Sequence, residues 1–378
     1  MHDLGRVQRD LQESLSLDKH PVALLLGAGC PLAVRVDDGA GGVKPIIPDI
    51  RGLTKAISTE LAGDASFKNL RQQFVDDELA GFTIEDALSR VRLLSRVAGN
   101  GTARGLSKSE LGALEAAMCK EISKLVRAEL SSTDSAYHKL VDWISGIARV
   151  KPLQLFTTNY DLLIEQALED RQVPYFDGFI GSRNPFFDIR AIEEEQAPTR
   201  WARLWKLHGS INWKYLGSGV VCRCFPVPDD ADGVLIHPSE LKYDQSRRMP
   251  YLAMLDRLRN FLKQPSAFFV TIGYSFADEH LNEVIIQGLR GNPTAACFGL
   301  LFGSMVEEKT AQAVSSRLPT NVSLVARDSG LIRGVMANWA PHPDAVPEAP
   351  GATSDLGDFS AFAAFVRNLS PLGSSAHA

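Results

Sequence analysis

An apolar run at Leu153, Leu155 and Phe156 ends abruptly in five polar or hydroxylated residues, Thr157-Thr158-Asn159-Tyr160-Asp161. Leu162, Leu163, Ala167 and Leu168 then recur at helical spacing, so the polar residues fall in a strand-to-helix turn, where open α/β sheets bind ligands. Three other boundaries share this form. Val22–Leu26 runs into Gly27-Ala28-Gly29-Cys30, where glycines let backbone N–H groups approach a pyrophosphate. Trp205-Lys206-Leu207 runs into His208-Gly209-Ser210, a histidine suited to act at the mouth of a sheet. Ala267–Ile272 runs into Gly273-Tyr274-Ser275, again glycine with hydroxyl. Between the first two, Pro48-Asp49-Ile50-Arg51-Gly52 adds an arginine for a phosphate and an aspartate for a ribose hydroxyl or a helix N-terminus. Each feature taken singly also has a plain structural reading. Asp161 can cap its helix, Asn159 can shape a turn, the glycines can make a tight bend, Asp49 and Arg51 can pair locally, and His208 can be a satisfied structural histidine.

The elements that must position these residues alternate between strand and helix, which predicts a Rossmann-like, doubly wound parallel sheet of the α/β class. Leu4, Val7, Leu11 and Leu15 predict an opening amphipathic helix that packs on the sheet or on a second subunit. Pro31 to Pro48 is rich in glycine and proline and predicts a mobile loop over the site. Residues from about 53 to 146 read as a helical insertion. Within it Ser107-x-x-Glu110 is a capping box, Gly99–Gly105 is a loop, and His138 is structural. Val173–Ile180 and Asn184–Phe187 read as irregular, Glu193–Glu195 as a solvated charge run, and Gly217-Ser218-Gly219 as a hairpin turn. Further strands are expected at Cys297–Phe302 and Val322–Val325, and a linker with a closing helix over about 340–378. The whole of 1–378 thus reads as one catalytic domain carrying an insertion.

Composition narrows the function. The chain has 378 residues, 45% of them hydrophobic, enough for a large core. A formal charge of −5 with mixed signs throughout excludes a field drawing it to nucleic acid or an anionic membrane. The five cysteines are scattered, and Cys222 and Cys224 stand two apart with no second pair, so a structural zinc is not expected. No apolar stretch reaches about eighteen residues and no signal peptide is apparent, which makes the cytoplasm the default.

Read together, Gly27-Ala28-Gly29, Pro48-Asp49-Ile50-Arg51, Thr158-Asn159-Tyr160-Asp161, His208-Gly209 and Gly273-Tyr274-Ser275 follow the order of the sirtuin (Sir2) family. From about Val22 to Val325 the chain resembles that family, and most of all the bacterial Sir2-like proteins of antiphage defence, which hydrolyse NAD⁺ and starve the infected cell. The resemblance implies NAD⁺ as substrate and no metal. It implies that Gly27, Ala28 and Gly29 cradle the pyrophosphate, that Arg51 supports it, and that Ser275, beside Gly273, contacts phosphate or ribose. Asn159, next to Thr158, would orient ribose and water, Tyr160 and Asp161 would hold the carboxamide, and His208 would be the general base. Relatives act as homo-oligomers or with a separate ATPase or helicase-type partner, and the same is expected here.

The chain also departs from the deacylases of that family. They carry a four-cysteine zinc module, whereas no Cys-x-x-Cys occurs here, Cys30 stands where serine is usual, and the helical insertion takes the place of a peptide cleft. NAD⁺ hydrolysis is therefore the leading expectation. A protein deacylase or ADP-ribosyltransferase is the second. A non-catalytic NAD⁺ or ADP-ribose sensor is the third, and the presence of both Asn159 and His208 argues against it.

Overall fold

The computed structural model describes all residues except 80, 132–133, 195–196, 217–219, 228–233, 237–248, 342–350 and 371–378. Its central sheet contains β1 (Val22–Leu26), β6 (Gln154–Thr157), β7 (Tyr175–Phe176), β10 (Ala202–Lys206), β14 (Phe268–Ile272), β15 (Ala296–Leu300), β16 (Val322–Val325), β17 (Ser329–Ile332) and β18 (Val335–Asn338). Smaller sheets are made by β2 (Arg35–Asp37) with β3 (Val43–Pro45), by β4 (Thr102–Ala103) with β5 (Leu106–Ser107), and by five further strands. These five are β8 (Phe179–Ile180), β9 (Phe186–Phe187), β11 (Gly209–Tyr215), β12 (Val221–Arg223) and β13 (Val234–Ile236).

The central order is β18-β17-β16-β15-β14-β1-β6-β10-β7. Every pairing from β16 to β7 is parallel, as the alternation predicts. The exception is the far edge, where β17 and β18 turn back antiparallel. From β1 the chain fills one side with β6 and β10, then returns to fill the other with β14, β15 and β16, so the order reverses between β1 and β14. Such a reversal opens a crevice at the carboxyl ends of the strands.

Both faces of the sheet are covered, which is why its strands are apolar runs rather than alternating ones. Successive residues of β1 point to opposite sides and join separate cores. Leu24 and Leu26 pack with Leu155, Leu204 and Ile272, while Ala23 and Leu25 pack with Phe156, Trp205 and Phe269. The first face is closed by the helix Leu4–Ser16, whose Leu4, Val7, Leu11 and Leu15 are buried within the chain, and by the helices of the insertion. The helix Phe359–Arg367 also closes it, its Phe359 ring meeting Tyr137 edge-on at 4.9 Å. The second face is closed by the helices Tyr251–Leu262 and Glu279–Arg290.

Between 50 and 146 lie the helices Ile50–Glu60, Ala65–Asp76, Ile84–Ala98, Lys108–Val126 and Ala136–Gly146. The Ser107–Glu110 capping box forms, and a second one joins Thr83 to Asp86. His138 is fully buried, with Nε2 2.9 Å from Asp170 and Nδ1 2.8 Å from Ser135, a structural histidine.

Three expectations are corrected. The glycine-rich stretch after Pro31 is not without regular structure, because β2 and β3 form a short hairpin closed over Gly39 and Gly41, both at positive φ. The 99–105 loop carries β4 of another small hairpin. Segments 173–180 and 184–187 contain the two-residue strands β7, β8 and β9, too brief to show a periodicity in sequence. The glycines 217–219, Glu195 and most of the 340–350 linker lie outside the described residues, although β11 and β12 flanking 217–219 do pair antiparallel. Among the described residues no helix is long and apolar enough to cross a membrane.

Candidate functional site

Strand register brings four of the sequence motifs to one row. Leu26 is paired with Ile272 on one side and Thr157 on the other, and Thr157 is paired with Lys206. The residues that follow are therefore Gly273, Gly27, Thr158 and Leu207, side by side at the carboxyl ends of β14, β1, β6 and β10.

At the reversal point the tips of β1 and β14 interlock chiefly through backbone. The N–H groups of Gly27 and Gly29 donate to the carbonyls of Ile272 and Gly273, both at 2.9 Å. A Cβ on Gly27 would lie 2.3 Å from the Gly273 carbonyl oxygen, and one on Gly273, at φ +65°, would lie 2.7 Å from the Cys30 nitrogen. These glycines are thus required for the crossing itself. Their N–H groups serve the fold, and Ala28 is the exposed member of the trio. Cys30 is buried beneath, its thiol donating to the Ile272 carbonyl at 3.3 Å and pushed up in pKa by burial.

At the tip of β6 the Thr157 hydroxyl donates to the Leu26 carbonyl at 2.9 Å and accepts the Asn159 N–H at 3.0 Å. Asn159 is buried, and its amide donates to the Gly27 carbonyl at 3.1 Å, so the β1 and β6 turns are tied together. Thr158, half-buried, donates its N–H to the Leu26 carbonyl at 3.2 Å. Tyr160 reaches Glu85 of the insertion, hydroxyl to carboxylate 3.4 Å, and its ring lies 6.5 Å from that of His208.

Asp161 is buried, accepts the Leu163 N–H at 3.1 Å, and has its pKa raised to about 6 by burial, which outweighs the charge of Lys206. Lys206 is buried too. It donates to the Asp161 carbonyl and to Glu165 at 2.8 Å. Because the folded protein keeps the Asp161 proton to higher pH than the unfolded chain, this group's contribution to stability falls as pH rises from its ordinary 3.8 through about 6. Asp161→Asn should therefore stabilise the protein at pH 7 by on the order of 1–3 kcal/mol, an advantage that fades below pH 4. Urea unfolding across that range measures it, and a variant no more stable than wild type at pH 7 refutes the assignment.

His208 stands at a corner of the chain. The next residue, Gly209, has φ +97°, and β11 leaves there for the second sheet. Its Nε2 lies 3.1 Å from Asp278 Oδ2, a carboxylate that also caps the helix Glu279–Arg290 through the Leu281 N–H at 3.1 Å. The loop between Gly273 and Asp278 is fixed. Phe276 holds φ +58°, its carbonyl accepts the Asn282 amide at 2.8 Å, and Tyr274 donates to Asn282 at 2.7 Å. Ser275 is exposed on this loop, and its carbonyl accepts from Thr310.

Asp49 and Arg51 sit at the start of the helix Ile50–Glu60. Asp49 is the N-cap, accepting the Gly52 N–H at 2.8 Å, and Arg51 is exposed. Three features escaped the sequence reading: Asp278 beside His208, Glu85 beside Tyr160, and the buried Lys206–Glu165 pair. An aspartate opening a helix reads only as a cap, and nothing local to Glu85 or Lys206 marks its partner. Among the described residues no group of histidine, cysteine and carboxylate side chains is arranged to hold a metal ion.

Residues 154–315 match the family model of the SIR2-like domain, a stretch that includes Asn159, His208, Ser275 and Asp278 but not the β1 glycines. No curated protein matches the chain's sequence. Among solved structures, one from a study of the mechanism and regulation of Sir2 enzymes is 14% identical, covering 80% of this chain and 88% of that one, with a TM-score of 0.37. A Sir2 homologue with ADP-ribose is 14% identical, covers 95% of each chain and has a TM-score of 0.36. A Sir2 protein bound to an acetylated peptide is 13% identical, covering 78% and 87%, with a TM-score of 0.34. The family match bears out the resemblance read from the strand-end motifs: the stretch from 154 to 315 is SIR2-like.

Proposed function

We propose that the chain hydrolyses the nicotinamide–ribose bond of NAD⁺ to release nicotinamide and ADP-ribose, and that in its cell this depletes NAD⁺ during antiphage defence. What supports the reading is the row of strand ends, three of its four tips within a SIR2-like stretch, with Asn159 and a carboxylate-held His208 at neighbouring tips. In the reaction a water attacks C1′, the bond to the nicotinamide nitrogen breaks with its electron pair, and the cationic ring leaves neutral. The water gives up its proton to His208, from which it passes to solvent. Asn159 orients ribose and water, Tyr160 and Asp161 hold the carboxamide, and Arg51 and Ser275 meet phosphate or ribose.

Incubating purified protein with NAD⁺, with and without an acetylated peptide, and separating the products tests this. Nicotinamide and ADP-ribose in equal amounts, with no need for peptide, is the expected result. Release that depends on the peptide and yields an acetylated ADP-ribose would instead make the protein a deacylase. Because the chemistry asks for orientation and a base, turnover should stay within about twofold of its untreated value in excess chelator, well short of the loss that removing a catalytic group brings. Loss of turnover on chelation, restored by zinc, would contradict this mechanism.

A further inference from the structure

We infer that Asp278 is the positioning residue for His208, fixing the imidazole's orientation and tautomer from the opposite half of the sheet. The inference rests on the function proposed above. β10 and β14 are separated by β1 and β6, so at roughly 4.8 Å per strand their tips stand on the order of 14 Å apart. The segments after the two strands nevertheless meet, Nε2 to Oδ2, at 3.1 Å.

The carboxylate is held from both sides. Its other oxygen takes the Leu281 N–H at 3.1 Å, and the loop leading to it is pinned by the Tyr274–Asn282–Phe276 bonds around a residue at φ +58°. A left-handed backbone at a phenylalanine persists only where its surroundings over-determine it, and such residues cluster at functional sites. Both side chains of the pair are largely shielded from solvent, with exposures of 14% and 10%. An Nε2–H donated to this carboxylate leaves Nδ1 as the basic nitrogen, and the imidazolium formed when water is deprotonated is stabilised by the charge beside it. The geometry gives the two oxygens of Asp278 two tasks.

Substitutions separate the tasks. Asp278→Ser keeps a capping oxygen but is too short to reach His208, and Asp278→Asn keeps the cap and a neutral partner while losing the charge. Both variants should remain folded, with melting temperatures near wild type. Nicotinamide release at saturating NAD⁺ should fall about 10- to 100-fold, less than the loss expected for removing the base itself, with KM changed less than threefold. A negative neighbour favours the protonated imidazole, so in Asp278→Asn the acid limb of the rate profile should move to lower pH. The titratable groups near the pair include Tyr160 with Glu85 at its hydroxyl, Asp161 and Lys206 on the adjoining tips, Tyr274 and Glu279 beside Asp278, and the imidazole of His280, its Nε2 buried, on the helix that Asp278 caps. Those are unchanged in the variant.

NMR titration of the His208 ring in substrate-free protein should show the same downward movement. Since that titration needs no turnover, a wild-type protein that releases no nicotinamide would count against the proposed reaction, whereas an unmoved titration would overturn the pairing. Wild-type turnover and an unshifted acid limb in both variants would reduce Asp278 to a helix cap and overturn the inference.

Discussion

His208→Ala should lower nicotinamide release by on the order of 10² to 10⁴ while leaving the protein folded. The side chain sits at a turn between two sheets rather than in either core, and its bond to Asp278 is not the only one that aspartate makes. Asn159→Ala should lose a comparable factor in rate, since the proposed mechanism has that amide align ribose and water. It should also cost some stability, because that amide ties the β6 turn to the Gly27 carbonyl. The double variant should be little slower than the slower single one, as groups serving one transition state are strongly non-additive. Measuring thermal unfolding and turnover on the same preparations decides the matter. A folded His208→Ala protein within about threefold of wild-type turnover, far inside the loss expected for a base, would remove the histidine from the mechanism.

The second large effect should fall on stability. Lys206→Ala strips the cation from a buried cluster and leaves the Glu165 carboxylate without the partner that now lies 2.8 Å away. Orphaning one member of a buried pair costs about 3–5 kcal/mol, whereas replacing both by apolar residues of similar size is often neutral or stabilising. Lys206→Ala should therefore lose that amount in urea unfolding, and Lys206→Met combined with Glu165→Leu should recover most of it. A loss under about 1 kcal/mol for Lys206→Ala would mean that water reaches the pair and that its burial is not what holds the tip of β10.

The strand ends were legible because a parallel strand buried on both faces must be continuously apolar and must then stop. Val22–Leu26 does so without a break, Leu153–Phe156 and Ala267–Ile272 do so with one polar residue each, Gln154 and Thr271, and each run hands over to glycine or a hydroxyl. The helices were legible from the spacing of residues such as Leu4, Val7, Leu11 and Leu15. Of the five-stranded second sheet only the β11–β12 hairpin was, since β8 and β9 have two residues each and no period can appear in two residues. Gly27 and Gly29 were read toward a ligand, while in the fold their small size is required by Gly273, a residue more than two hundred positions away. Asp278 and Glu85 lay out of sight for the same reason. Their roles come from partners on distant strands, and pairwise proximity leaves no mark on either residue's own neighbourhood.

The glycine crossing at the reversal point has a mechanical consequence. It joins the half of the sheet that carries Asn159 and His208 to the half that carries Ser275 and Asp278, with hydrogen-bonded backbone on both sides and, of side chains, the small buried thiol of Cys30 bonded across it. Two halves fastened this way cannot separate at the crossing without losing those bonds. Swinging them apart like a clamshell would break the Gly27 and Gly29 bonds first, so under the proposed function NAD⁺ would come and go past the loops above the row, while the separation of His208 and Asp278 stays set by the floor beneath them.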